Sequence, residues 1–276
     1  MQMRGRILVI AGSDSGGGAG VQADIKTIMA LGGYAMTAIT ALTAQDTLGV
    51  HAVHAVPTDF IRHQIRLAFA DIGVDVIKTG MLADAATIEA IAFELKAQRV
   101  TAPLVLDPVM TAKGGASLMA QQAVAMLKQR LIPMAAVLTP NIPEAEALTG
   151  LIIADEAGMH RAAQTLLTLG APAVLLKGGH LDGPDVIDVL VTQTETHRYS
   201  APRLPGRHTH GTGCTLASAI AAGLAQNLSL PDAVQRARAY VRNAIEHAPG
   251  FGQGHGPLNH AVTVDTVAVG ALAARF

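Results

Sequence analysis

Cysteine is nearly absent: Cys214 is the only one in 276 residues. A single thiol excludes an internal disulfide and suits a reducing compartment, so a soluble cytoplasmic protein is expected. Tryptophan is missing and aromatics make up only 3% of the chain, so Ala, Val, Leu and Ile must fill the core. Charge is also scarce, at 15% of residues, and sums to a formal −1 with no run of Lys or Arg. A nucleic-acid partner, which needs a basic footprint, is therefore not expected. Long apolar runs are missing too. The run at 7–11 is too short for a signal-peptide core and leads into glycines. The stretch at 216–225 falls far below the roughly 18 residues of a membrane span, so no membrane association is expected.

What the chain does have is 50% apolar residues and 28 glycines. That excludes disorder and fits a fold with many tight turns. Short runs rich in Val, Ile and Leu at 7–11, 35–42, 74–78, 104–107, 136–139 and 173–177 read as buried parallel strands. The runs at 186–191 and 196–200 read as a later pair with antiparallel character. Between the strands lies helical spacing. Val21, Ile25, Ile28 and Met29 make one face, and Ile61, Ile65, Ala68 and Ile72 make another after Pro57. Ser229 ahead of Pro231 reads as the N-cap of a late helix carrying Val234, Ala237, Val241 and Ile245. This alternation predicts an α/β fold: three layers, α/β/α, with a mainly parallel central sheet flanked by helices. No linker or repeat divides residues 1–276, so a single domain is expected.

Ligands of such sheets bind at the carboxyl ends of the strands, and the loops there carry the chemistry-bearing residues. Thr209-His-Gly-Thr-Gly-Cys214 opens an apolar helix. Its backbone N–H groups and helix start suit an anion, although a plain glycine turn reads the same way. Neither this loop nor Gly12-Ser-Asp-Ser-Gly-Gly-Gly-Ala-Gly20 fits a Walker A motif, because no Lys-Ser/Thr follows. The place of Cys214 at a helix start predicts a lowered thiol pKa; the competing reading is a small side chain packed under a loop. Asn141 and Glu144 suit a magnesium site through waters, yet their spacing alone favours a capping box. Asp107 ends a strand, facing a metal or capping a turn. Lys177, before Gly178 and Gly179, suits either a phosphate contact or a solvated edge. His208 and His210 flank the glycine turn and suit a phosphate contact. His51 and His54 have no further ligand nearby, so no zinc site is read.

Taken in order, seven motifs resemble the ribokinase-like superfamily, and most closely its hydroxymethylpyrimidine/phosphomethylpyrimidine kinases. They are Ile10-Ala-Gly-Ser-Asp-Ser-Gly-Gly-Gly-Ala-Gly-Val-Gln-Ala-Asp24, Ile39-Thr-Ala-Leu-Thr-Ala-Gln45, Lys78-Thr-Gly-Met81, Asp107-Pro-Val-Met110, Thr139-Pro-Asn-Ile-Pro-Glu-Ala145, Lys177-Gly-Gly-His180 and His210-Gly-Thr-Gly-Cys-Thr215. The resemblance implies two successive Mg-ATP-dependent phosphorylations in thiamine biosynthesis. The first acts on 4-amino-5-hydroxymethyl-2-methylpyrimidine and the second on its monophosphate. It implies that Gln45 hydrogen-bonds the aminopyrimidine, with Gly12, Ala19, Asp24, Met81 and Val109 completing that pocket. Asn141, Lys177, Thr209, Gly211 and Gly213 would hold ATP, and Glu144 and Asp107 the Mg²⁺. Gly211, Thr212, Gly213 and Cys214, with Lys177, would form the anion hole and catalytic position. Cys214 stands where the superfamily's sugar kinases carry an Asp base. Gly114-Gly115 after Lys113 departs from the Ser-Gly of many relatives. A homodimer is implied as well. The competing readings are a pyridoxal kinase of the same superfamily, a non-catalytic pyrimidine sensor, and a hydrolase with Cys214 as nucleophile beside His210.

Overall fold

Strand β1 (Arg6–Asp14) sets the plan of the molecule. Its side chains alternate between two apolar clusters: Leu8 and Ile10 enter one, and Ile7, Val9 and Ala11 the other. All five are at most 1% exposed. A strand buried on both faces must lie in the middle of a sheet covered on both sides. That is what the computed structural model shows over the residues it describes, 3–111 and 119–264. Lys113, Gly114 and Gly115 lie outside the described residues.

The other strands are β2 (Tyr34–Gln45), β3 (Val50–Ala55), β4 (Val76–Thr79), β5 (Leu104–Leu106), β6 (Val137–Leu138), β7 (Ala173–Lys177), β8 (Asp185–Thr192) and β9 (Thr196–Pro202). Among the described residues they form one nine-stranded sheet, ordered β3-β2-β1-β4-β5-β6-β7-β8-β9. The run from β2 to β7 is parallel throughout. Strand β3 pairs antiparallel with β2, and β8 and β9 extend the other edge antiparallel. The expected late antiparallel pair is thus present. Strand β3 was not foreseen. Its Val-His-Ala-Val-His-Ala run is exposed along nearly its whole length, so no apolar face marks it.

One face carries α2 (Thr58–Leu67), α3 (Ala85–Ala97), α4 (Gln121–Arg130), α5 (Ile142–Thr149) and α6 (Glu156–Leu167). The opposite face carries α1 (Gly20–Ala30), α7 (Thr212–Ala225) and α8 (Leu230–Glu246). The three-layer α/β/α expectation holds, but helix faces differ in detail. In α1, Val21 and Ile28 are buried as expected, while Ile25 and Met29 are 38% and 45% exposed. Asp24 and Thr27 are buried in their stead. In α2, Ile61 and Ile65 are buried. A single π-helical turn at Ala68–Ile72 then shifts the register and turns Ile72 outward. Ser229 caps α8, its hydroxyl accepting from the Asp232 N–H with Pro231 in the first turn. Val234 and Ala237 face the core, whereas Val241 and Ile245 are half-buried.

The chain leaves β1 for β2 on one side and returns to β4 on the other. This switch point opens a crevice at the carboxyl ends of the central strands.

Candidate active site

A cleft of about 370 Å³ fills that crevice. Its lining brings together Gly12, Ala19, Gln45, Met81, Asp107, Val109, Asn141, Glu144, Lys177, Thr209, Gly211, Thr212, Gly213 and Cys214. They come from the carboxyl ends of β1, β2 and β7, the loops after the strands, and the first turns of α5 and α7, so one end of the sheet collects residues more than 200 positions apart. Among the sequence-expected site residues, His208 is not there, and neither is Asp24. Asp24 lies below the floor, 0% exposed, with the Lys78 ammonium 2.9 and 3.0 Å from its two carboxylate oxygens and the Ser218 hydroxyl donating at 2.6 Å.

The turn before α7 is built for backbone contact. Gly211 has φ +82°, and a Cβ there would sit 1.9 Å from the Gly18 carbonyl oxygen, so only glycine lets this turn rest on the loop after β1. At Gly213 a Cβ would come within 3.3 Å of Lys177 Nζ, so the missing side chain lets the ammonium approach the helix start. The Thr212 N–H reaches Thr209 O and that of Thr215 donates to Gly211 O. Those of Gly213 and Cys214 lie between them in the first turn, where N–H groups have no partner within the helix. They stand at the positive end of the helix dipole.

Cys214 departs from expectation. Burial pushes its thiol up to about 11, and the charges of Asp24 and Asp107 add to that. Lys78 and the Gly20 N–H oppose the rise without cancelling it. The helix start therefore does not yield a thiolate; a neutral thiol sits at the cleft wall near neutral pH.

Beside the turn, Lys177 Nζ donates to Asp107 Oδ1 at 2.9 Å, and the Thr139 hydroxyl donates to the same oxygen at 3.1 Å. Burial alone would lower Lys177; Asp107 and then Glu144 reverse that and hold it as the ammonium. Asn141 and Glu144 do form the capping box of α5, with Asn141 Oδ1 accepting the Glu144 N–H and Glu144 Oε2 the Asn141 N–H. Both still line the cleft, so capping and ligand-facing positions coincide. Burial pushes Glu144 up to about 7; Lys177 opposes this and the Asp107 charge reinforces it.

On the acceptor side, β2 ends at Gln45, whose carboxamide faces the cleft beside Gly12 and Met81. The Thr40 hydroxyl anchors the Met81 carbonyl at 2.7 Å. Two residues stand out that sequence reasoning passed over or placed elsewhere. Asp14, 3% exposed, accepts backbone N–H groups from Gly16, Gly18 and Ala19 and so shapes the glycine loop. His210, read as a phosphate contact, lines the cleft and meets Asp14 at 2.9 Å. The available signal was an acid embedded in a glycine run, but its partner lies 196 positions away. No cluster of three potential metal ligands occurs among the described residues.

Known proteins match this arrangement. A family model described as phosphomethylpyrimidine kinase covers residues 14–259. The thiamine biosynthesis bifunctional protein ThiED of Geobacter sulfurreducens is 53% identical over 96% of this chain, which spans 54% of that longer protein. A hydroxymethylpyrimidine/phosphomethylpyrimidine kinase of Streptomyces coelicolor is 48% identical, over 92% of this chain and 93% of its own length. The pyridoxal kinase of Staphylococcus aureus in complex with AMP-PCP and pyridoxal superposes with a TM-score of 0.87 at 33% identity, over 96% of each chain. No helix among the described residues is long and apolar enough to cross a membrane. Agreement that runs through nearly every element of the sheet and its loops makes this chain a member of the phosphomethylpyrimidine kinase family.

Proposed function

We propose that this chain moves the γ-phosphoryl group of ATP onto the hydroxyl of 4-amino-5-hydroxymethyl-2-methylpyrimidine, and then phosphorylates the product to the pyrophosphate. One observation carries the reading: a single cleft holds an amide for the heterocycle at Gln45 and an anion-binding turn at 211–214, with Lys177 beside that turn. The kinase relatives and the AMP-PCP complex of a structural neighbour support ATP as donor.

Each role follows from local chemistry. Gln45 offers a donor and an acceptor, which suits the edge of an aminopyrimidine, with Gly12, Ala19, Met81 and Val109 as pocket walls. Asn141, Thr209 and Lys177 flank the nucleotide side. The N–H groups of Gly213 and Cys214 hold the moving phosphoryl group, and Lys177 spreads its charge. Phosphoryl transfer through a loose transition state asks mainly for such positioning. Cys214 contributes its backbone N–H, while its neutral thiol shapes the wall.

Magnesium fits the nucleotide side. Two nearly buried carboxylates, Asp107 and Glu144, share one ammonium, and burial together with the Asp107 charge raises Glu144 to about 7. Asp107 and Glu144 would hold a divalent cation that keeps waters and phosphates in its shell, its charge favouring the ionised form of both carboxylates. Bound there, it neutralises phosphate charge; the remaining work falls to the side chains and N–H groups named above.

The activity is assigned to one domain, in a cytoplasmic homodimer. Exposed Leu48 and Val53 at the β3 edge support self-association there. A second reading, phosphorylation of pyridoxal, draws on the likeness to the Staphylococcus aureus enzyme. Mass spectrometry of products from the pyrimidine alcohol and Mg-ATP tests the proposal, run beside parallel kinetics with pyridoxal. Mono- and then diphosphorylated pyrimidine is expected. A pyridoxal kcat/KM above that of the pyrimidine would replace it.

A further inference from the structure

His210 is 7% exposed and lies where three loops meet. Its Nε2 stands 2.9 Å from Asp14 Oδ2. That carboxylate already accepts N–H groups from Gly16 at 2.8 Å, Gly18 at 3.1 Å and Ala19 at 2.7 Å. Burial would raise Asp14, yet His210 and these N–H groups hold it below its ordinary range, so it is ionised at neutral pH. An ionised carboxylate only accepts. The proton therefore resides on His210 Nε2.

That proton constrains Gln45. Gln45 Nε2 stands 3.3 Å from His210 Nε2, which sets one donor against another. Gln45 Oε1 is 3.2 Å from the Thr43 hydroxyl oxygen, whose single proton goes to the Ser13 carbonyl at 2.8 Å. Acceptor thus faces acceptor at the other end of the carboxamide. A half-turn of the amide about its terminal torsion leaves the heavy-atom outline unchanged and repairs both contacts. Oε1 then accepts from the His210 Nε2–H, shared with Asp14, and Nε2 donates to Thr43 Oγ1.

We propose that His210, oriented by Asp14, fixes which way the Gln45 carboxamide points, and with it the donor–acceptor order presented to the acceptor heterocycle. His210 is a positioning residue for specificity. This rests on the reading that Gln45 contacts the heterocycle. With the amide locked, its remaining N–H and lone pair meet an edge that offers an amino donor beside a ring-nitrogen acceptor. A 4-oxo analogue, carrying C=O beside N–H, presents the reverse order.

Two measurements test the proposal. Long-range ¹H–¹⁵N spectra of the ligand-free protein, assigned by comparison with His210→Gln, report the tautomer directly. Protonated Nε2 is expected, and a bare Nε2 would overturn the idea whatever the substrate proves to be. Kinetics then compare the amino and 4-oxo alcohols in the wild type, His210→Leu and His210→Gln. The amino preference in kcat/KM should fall about tenfold or more in His210→Leu with the KM for ATP little changed, as expected for losing one well-placed hydrogen bond. His210→Gln, which keeps a donor near the same place, should recover most of the preference. Equal losses for both alcohols would show a merely structural role and sink the proposal. If the wild type phosphorylates neither alcohol, the proposed function fails instead, and the tautomer measurement still decides the role of His210.

Discussion

Cys214 is the sharpest place to test the electrostatics of the site, because it is the only thiol in the chain and one adduct reports it without ambiguity. Burial moves it from 9.0 to about 11. At pH 7 the thiolate fraction then falls from about 1% to about 0.01%, a hundredfold drop. Nucleophilicity recovers part of this, since a thiolate of higher pKa attacks faster with a Brønsted slope of about 0.4–0.5, or roughly tenfold over this interval. Alkylation by iodoacetamide at pH 7 should therefore be about tenfold slower than for a free thiol of ordinary pKa, before any steric slowing. Its rate should keep rising up to pH 10 without a plateau. Intact-mass spectrometry of timed samples, with circular dichroism to confirm the fold, supplies the profile. The same reasoning makes Cys214 a poor general base, so Cys214→Ser should lose less than about tenfold in kcat, where removal of a true base typically costs 10²–10⁴. A plateau below about pH 8, together with a loss above a hundredfold in Cys214→Ser, would refute the burial argument and restore the thiolate.

Two further perturbations probe what holds the floor and the helix behind the anion turn. Lys78 and Asp24 are both fully buried, so Lys78→Met should destabilise the protein by about 3–5 kcal/mol in urea titrations by leaving an unpaired carboxylate. The double variant Lys78→Met with Asp24→Leu should recover most of that loss; a double variant as unstable as the single one would refute the pair account. His260, whose Nε2 lies 3.0 Å from the Thr215 hydroxyl of α7, is lowered to about 4 chiefly by burial and secondarily by Lys26. Between pH 6.5 and 4 the unfolded chain takes up a proton that the folded chain refuses, so stability present at pH 7 falls with pH by roughly 3 kcal/mol. His260→Gln has nothing to titrate there and should show a flatter acid limb, whereas superimposable limbs would contradict the assignment.

Much of this site could be read from the sequence because its parts sit where an α/β sheet must place its ligands. Strand-end loops carry glycines, amides and single charges in a fixed order, and the sheet of the described residues collects them at its switch point between β1 and β4. The alternation that marks β1 and the apolar run of β7 follow from burial on both faces. Strand β3 escaped notice for the converse reason: exposed along nearly its whole length, it carries no burial pattern. Pairings between distant polar residues were also out of reach. Asp24 sits on the buried side of α1, where periodicity would place an apolar residue, because Lys78 lies 54 positions away in sequence and 2.9 Å away in space. Burial is the chief cause of the raised Cys214 thiol and the Asp24 carboxylate adds to it, so packing that the sequence does not show overturns the pKa that the helix start predicts. Asp14 and His210 make the same point in the opposite direction. Each read alone suggested a loop residue or a phosphate contact; paired, they fix a proton on one nitrogen and constrain the amide of Gln45. Chemistry carried by backbone turns is therefore legible in one dimension, whereas chemistry set by which buried polar atoms meet needs the fold.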